Sequence, residues 1–270
     1  ADVNSFSGDR QYTRSVYSSG SEIFKASLYI DSANHSQFNS SWGRMDSSLP
    51  KGIFLNHSDT MDANRQRQIA KVYISAFMET ALHGKNQYVQ LFRDWRYGEN
   101  WLPDVGYCNR FENGTFISLL QFNKQNPKNV FQAGITAMAA GFTHWEVEDA
   151  QDRRRKDKGY DGVVLAWNEE STYTITVTDS FRSMLSSTPN AVFISMANWE
   201  RDMETDRNDR QPPAVEVEIS AGVSVRLPLN RFMPVPPQTY TQYTILPVLD
   251  SIIKEDKYEE AAEPVFQTYE

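Results

Sequence analysis

Residues 62–84, "DANRQRQIAKVYISAFMETALHG", constrain the fold more than any other part of this chain. Ile69, Val72, Tyr73, Ala76, Phe77 and Ala81 recur at spacings of three and four, which lines one side of an α-helix with apolar side chains. Gly84 follows the last turn, where a glycine readily closes a helix in the left-handed conformation. Arg67, Lys71 and Glu79 fall on the opposite side. The pattern predicts a helix from Asp62 to His83 whose apolar stripe, Phe77 included, is laid on a sheet. Such a stripe must be covered, so the rest of the chain has to supply that sheet.

Upstream, "FKASLYI" (24–30) is short and mostly apolar, as expected of a strand covered on both faces. Before it, "SGDRQYTRSVYSSG" places Tyr12 and Val16 four apart and ends at Gly20, a helix with a glycine stop. Helix, strand, loop and long helix in that order predict an α/β unit with parallel strands. Residues 85–124 are less regular, rich in aromatics and broken by Pro103. Around 125 the chain turns to "NKQNPKN" (123–129), a polar seam that reads as a domain boundary. Beyond it, "GVVLAWN", "TYTITVTD", "AVFISMANW", "AVEVEISA" and "VSVRLPL" are short, often alternating runs. Their spacing predicts an antiparallel β-sandwich or jelly roll over residues 125–270. The expected class is therefore α/β plus all-β, with residues 1–124 as the first domain.

Composition narrows the function classes. The net charge of -8 argues against non-specific phosphate binding, so no nucleic acid is expected as a partner. The basic run Arg153–Lys156 is flanked by acids and reads as a solvated loop. No apolar run approaches the roughly 18 residues a membrane helix needs, so no transmembrane segment is expected. Cys108, the single cysteine, forms no internal disulfide and supplies no cysteine-rich zinc site. His57, His83 and His144 share no metal-ligand spacing with carboxylates, and neither metal nor cofactor is expected. The chain opens on "ADVNSFSG" without a signal peptide and stops inside the alternating "AEPVFQTYE". Both ends read as cut, so the chain is expected to be an internal piece of a longer protein.

The stretch with the most chemical content is "LYIDSANHSQFNSSWGRMD" (28–46). His35 follows the predicted strand among small and polar side chains. It is either a capped structural histidine in a strand-to-helix loop or a general base delivered by the strand end. Asn34 and Asn39 could orient that loop or simply form turns. Trp42 could wall a substrate cleft or pack into the core. Trp95, Tyr97 and Trp101 fit interface packing or a pocket wall, and Trp145, Trp167 and Trp199 fit the core better than a sugar-stacking face.

Several separated motifs agree in order and spacing with a known family. Asp2–Val3, Arg10–Gln11–Tyr12, Ala33–Asn34–His35, Phe38–Asn39, Trp42–Gly43 and Asp46 resemble the C-terminal part of microbial lipase- and esterase-like α/β-hydrolases. The likeness continues through "ISAFMETALHGKNQYVQLFRDWR" and "WLPD". It implies a Ser-Asp-His triad with His35 at the histidine position. It makes Asp2, or a residue just upstream of it, the candidate acid, and Trp42 and Asn34 candidates for substrate binding. An extracytoplasmic location and a small-molecule or lipid ester substrate go with it. The sequence departs from the family in one respect: no Gly-x-Ser-x-Gly occurs in the chain, and "YSSGS" has Val16 where the first glycine belongs. Without a nucleophile elbow a histidine cannot make an acyl-enzyme. The expectation is a serine-hydrolase fragment, inactive alone, whose partner is the missing N-terminal half of the same protein. The alternative is a glycan- or surface-binding β-sandwich carried on a scaffold.

Overall fold

The computed structural model describes residue 12 and residues 23–44, 46–58, 60–152, 155–182, 191–200, 211–239, 245–250, 252 and 263–270. The helix predicted around residues 10–20 lies outside them apart from Tyr12.

The long helix, α1, runs Ala63–His83. Asp62 stays extended and its carboxylate accepts from the Asn64 and Arg65 amides, satisfying first-turn donors that have no partner within the helix. Gly84, at φ 65°, ends it. Gln66, Ile69 and Ala76 are buried, and Val72 and Tyr73 pack half-buried against the same core. Phe77 corrects the expectation: it is 52% exposed and meets the core only through an edge contact with Phe92. It lies one helical position beyond the stripe that the sheet can reach.

The sheet beneath α1 is not the parallel one expected. Strand β1 (Phe24–Ile30) pairs antiparallel with β2 (Tyr107–Asn113), in register from Phe24↔Asn113 to Ile30↔Tyr107. Every residue of β1 is half-buried, so the apolar run marks partial cover on each side rather than a central strand. From β1, Phe24, Ala26, Leu28 and Ile30 meet Tyr107 and Phe111 of β2, Leu91 and Phe92 of the short helix α2 (Val89–Arg93), Leu102, and the stripe of α1.

The remaining strands also form antiparallel pairs. They are β3 (Thr136–Ala140) with β6 (Thr172–Thr176), β4 (His144–Gln151) with β5 (Asp157–Ala166), β7 (Ile194–Met196) with β10 (Gln267–Tyr269), and β8 (Glu216–Ser220) with β9 (Ser224–Pro228). Helices α3 (Asp179–Arg182) and α4 (Pro247–Asp250) are single turns. Among the described residues the chain is mainly β, built from five two-stranded sheets. The described residues form neither the parallel core of an α/β-hydrolase nor two larger sheets packed as a sandwich. The physical reason lies in the pairing: six of these eight strands are only three or five residues long, and among the described residues each strand hydrogen-bonds to a single partner, so no wider sheet is built.

The last strand ties distant parts of the chain together. The Asn109 amide donates to Gln267 Oε1 (2.9 Å), the Phe111 amide to Thr268 Oγ1 (3.4 Å), and Lys158 pairs with Glu263 (3.1 Å) in near-complete burial. No helix among the described residues is long and apolar enough to cross a membrane.

Candidate functional site

Strand β1 ends at Ile30, and the chain turns through Ser32, whose φ of 61° is left-handed. The turn is fastened on both sides: the Asp31 amide donates to Gly106 O (2.8 Å), and the Met61 amide to Ser32 O (2.9 Å). The loop that follows carries His35, exposed, at the head of a short 3₁₀ turn, Ser36–Phe38.

Four consecutive amides of this loop are held by side-chain oxygens. The Asn34 amide donates to Gln66 Oε1 (3.0 Å), the His35 amide to Asp46 Oδ2 (3.0 Å), the Ser36 amide to Asp46 Oδ1 (2.7 Å) and the Gln37 amide to Asn34 Oδ1 (2.9 Å). Gln66, fully buried on α1, also donates through Nε2 to Asn34 O. It thus reads both backbone groups of one residue, as a paired strand would. Gln37 Nε2 reaches Met61 O (2.9 Å), and Arg67 donates to Gln37 O. The polar residues Asn34, Ser36, Gln37 and Gln66 are all buried, and this bonding compensates their removal from water.

Asn34, a candidate for substrate contact, is 3% exposed with its amide oxygen on Gln37 and its amide nitrogen on Arg44 O (2.9 Å). Its position gives it a part in shaping the loop. Asn39 accepts from the Ser41 and Trp42 amides, a turn that presents Trp42. The Trp42 indole, 60% exposed, lies over the His35 imidazole with ring centres 5.3 Å apart and planes 25° from parallel. His35 and Trp42 are therefore brought together in the open. Asp2 lies outside the described residues. Chemically, the arrangement offers an imidazole for proton transfer beside an apolar platform.

Gln37 and Gln66, which do much of the holding, were not legible as site residues. Gln66 falls within the α1 stripe pattern, and a glutamine at a core-facing helical position is the one signal that could have marked it. The other histidines have local roles: His57 Nε2 contacts Gly52 O, His83 pairs with Glu79, and His144 pairs with Glu148. Tyr97 and Trp101 are exposed, and Trp95 packs half-buried with Tyr107. Trp145, which packs on Tyr173, and Trp199 are half-buried, while Trp167 is 38% exposed against Phe142. Arg155 and Lys156 occupy the β4–β5 turn, exposed to solvent.

Compared with family models, with curated proteins and with solved structures, the chain gives no match.

Proposed function

We propose that the His35 loop is the proton-transfer arm of a serine-type carboxylic-ester hydrolase. The observation that carries this reading is an exposed imidazole on a backbone held at four successive amides, with an exposed indole stacked on it. A general base has to be reachable by substrate and yet fixed in position, and this loop meets both demands. The motifs around His35 that resemble esterases support the same reading.

In this reading the imidazole takes the proton of a serine hydroxyl as its oxygen attacks the ester carbonyl carbon. The imidazolium then gives that proton to the departing alkoxide, leaving an acyl-enzyme that water hydrolyses by the same two transfers. Trp42 walls the approach on one face of the ring, and Asp2 is the candidate orienting acid. The serine and the oxyanion donors come from outside these 270 residues, since no Gly-x-Ser-x-Gly is present. The reading rests on the loop and does not need a parallel sheet.

The test is hydrolysis of p-nitrophenyl butyrate. The 270-residue chain is expected to stay at background. A longer natural chain containing it and a nucleophile serine is expected to turn over, and His35→Ala there to lower kcat by about 10²–10⁴-fold. Full activity of that variant would remove His35 from the chemistry.

A further inference from the structure

The geometry points to Asp46 as the positioning residue of this loop: its carboxylate, bound to the amides of His35 and Ser36, fixes where the imidazole stands. The catalytic consequence rests on the hydrolase reading above; the clamp itself does not.

His35 heads the 3₁₀ turn but contributes no side-chain cap of its own. The first amides of such a turn have no partner inside it. Asp46 supplies what is missing, from eleven residues further along the chain, with one oxygen on each amide at 3.0 and 2.7 Å. An ionised acceptor makes these the stronger kind of hydrogen bond. Its neighbours on either side are neutral amides: Gln66 Oε1 on Asn34 N, and Asn34 Oδ1 on Gln37 N. Asp46 is thus the charged member of a set that holds four amides in a row.

The clamp also closes a loop. Between His35 and Asp46 lies the Asn39 turn that carries Trp42 back over the imidazole. Fixing the two ends of this segment is what allows the indole and the imidazole to stack. Releasing Asp46 frees the His35 backbone and the far end of the segment that presents Trp42.

Nuclear magnetic resonance on the whole 270-residue chain tests this without any activity. In Asp46→Ala, exchange of the His35 and Ser36 amides is expected to speed up by about tenfold or more, with α1 amides still protected. The His35 ring protons are expected to leave the upfield position that the stacked indole imposes. Trp42→Ala should remove that ring shift while leaving the two amides protected. Unchanged protection and an unchanged ring shift in Asp46→Ala would overturn the assignment. If that variant loses α1 protection, Asp46→Asn decides. It keeps one carbonyl acceptor, so one of the two amides is expected to lose protection; protection of both would overturn the assignment. In the longer active chain, Asp46→Ala is expected to lower kcat more than it raises KM. If the resonance changes appear but neither Asp46→Ala nor His35→Ala affects turnover, the clamp stands and the hydrolase reading falls.

Discussion

The part of the chain from Phe24 to Phe116 and the hairpins beyond Thr136 bury apolar surface in different ways. In the first, the long helix α1 and the short helix α2 pack on a two-stranded sheet. Ile69, Ala76, Leu91, Phe92, Tyr107 and Phe111 are buried around it. In the second, alternation writes amphipathic ribbons that largely lack cover. Hairpin β8–β9 sets Val217 opposite Leu227 and Ile219 opposite Val225, yet Ile219 and Val225 are 45% and 55% exposed. Its other face pairs Arg226 with Glu218 at 3.0 Å. The small core nearby is Leu229, Val235 and Tyr269. Period-two alternation specifies a strand and its faces; it does not specify what lies against the apolar face. A helical stripe brings more with it, because its width calls for several elements at once.

The two regions meet at the last strand, where the Asn109 and Phe111 amides donate to Gln267 and Thr268, and the largest expected effect lies just before that strand, inside the second region. Lys158 and Glu263 are an ion pair out of water, with side chains 3% and 1% exposed. Lys158 also donates to Pro264 O. Glu263→Gln removes the carboxylate that lies 3.1 Å from this buried ammonium and should cost about 3–5 kcal/mol in a urea melt. Replacing both partners, with Lys158→Met and Glu263→Leu, should recover most of that loss. If the single change costs under about 1 kcal/mol, water reaches the pair and the segment leading into the last strand is held to β5 more loosely than this geometry states.

A second prediction sets the regions side by side. Ile69→Ala, at a fully buried site, should destabilise by about 2–5 kcal/mol. Val225→Ala, on the open hairpin face, should fall within about 0.5 kcal/mol. Equal effects would erase the contrast and mean that the hairpin is covered in solution.

Alkaline pH gives a third probe, again in the first region. Cys108 is opposite Tyr29 across β1 and β2, and burial, with Asp31 nearby adding to it, pushes its thiol up to about 12 from 9.0. Burial likewise raises the Tyr29 phenol well above its usual range. A pKa raised by folding contributes stability that is complete below the unfolded value and is lost as pH rises through the folded one. Between pH 9 and 12, therefore, ionisation of the unfolded thiol should lower stability by about 1.4 kcal/mol per pH unit. Cys108→Ala should flatten part of that fall. A thiol reagent at pH 8 should label the denatured chain quickly and the native chain slowly; fast native labelling would place Cys108 at the surface.

What the sequence revealed follows the same division. The α1 boundaries were legible because Asp62 and Gly84 are strong end signals and the stripe between them is periodic. The β1 span was legible too, but its partner was not. In "YCNRFEN" the inward side of β2 is Tyr107, Asn109 and Phe111, and the buried Asn109 hides the alternation. Asn109 belongs inside because it accepts from the Trp95 amide and donates to Phe92 O. Tertiary hydrogen bonds of that kind leave no periodic trace. Strand β4 was missed for a related reason: Glu146, Glu148 and Asp149 interrupt the apolar pattern of "HWEVEDAQ", where no strand was expected, whereas it pairs with β5 as a hairpin. Of the site, His35, Asn34 and Trp42 could be singled out by type and position. The amide-by-amide holding by Asp46, Gln66 and Gln37 required the fold.

Phe77 carries the smallest predicted effect. By periodicity it belongs with Ile69, Tyr73 and Ala76, and a fully buried phenylalanine there would cost about 3–5 kcal/mol on truncation. The helix instead turns it to 52% exposure, with Ile74, Met78 and Leu82 also exposed. Its remaining contact is an edge-on approach to Phe92 at 6.5 Å. An aromatic pair of that geometry is worth about 0.5–1.5 kcal/mol. Alanine also returns up to about 0.7 kcal/mol of helix propensity relative to phenylalanine. Phe77→Ala should therefore cost about 1 kcal/mol or less in a urea melt at low protein concentration. A loss of 3 kcal/mol or more, above all one that grows with protein concentration, would mean that the outer face of α1 is covered by another molecule, and that the first region is less complete by itself than its core implies.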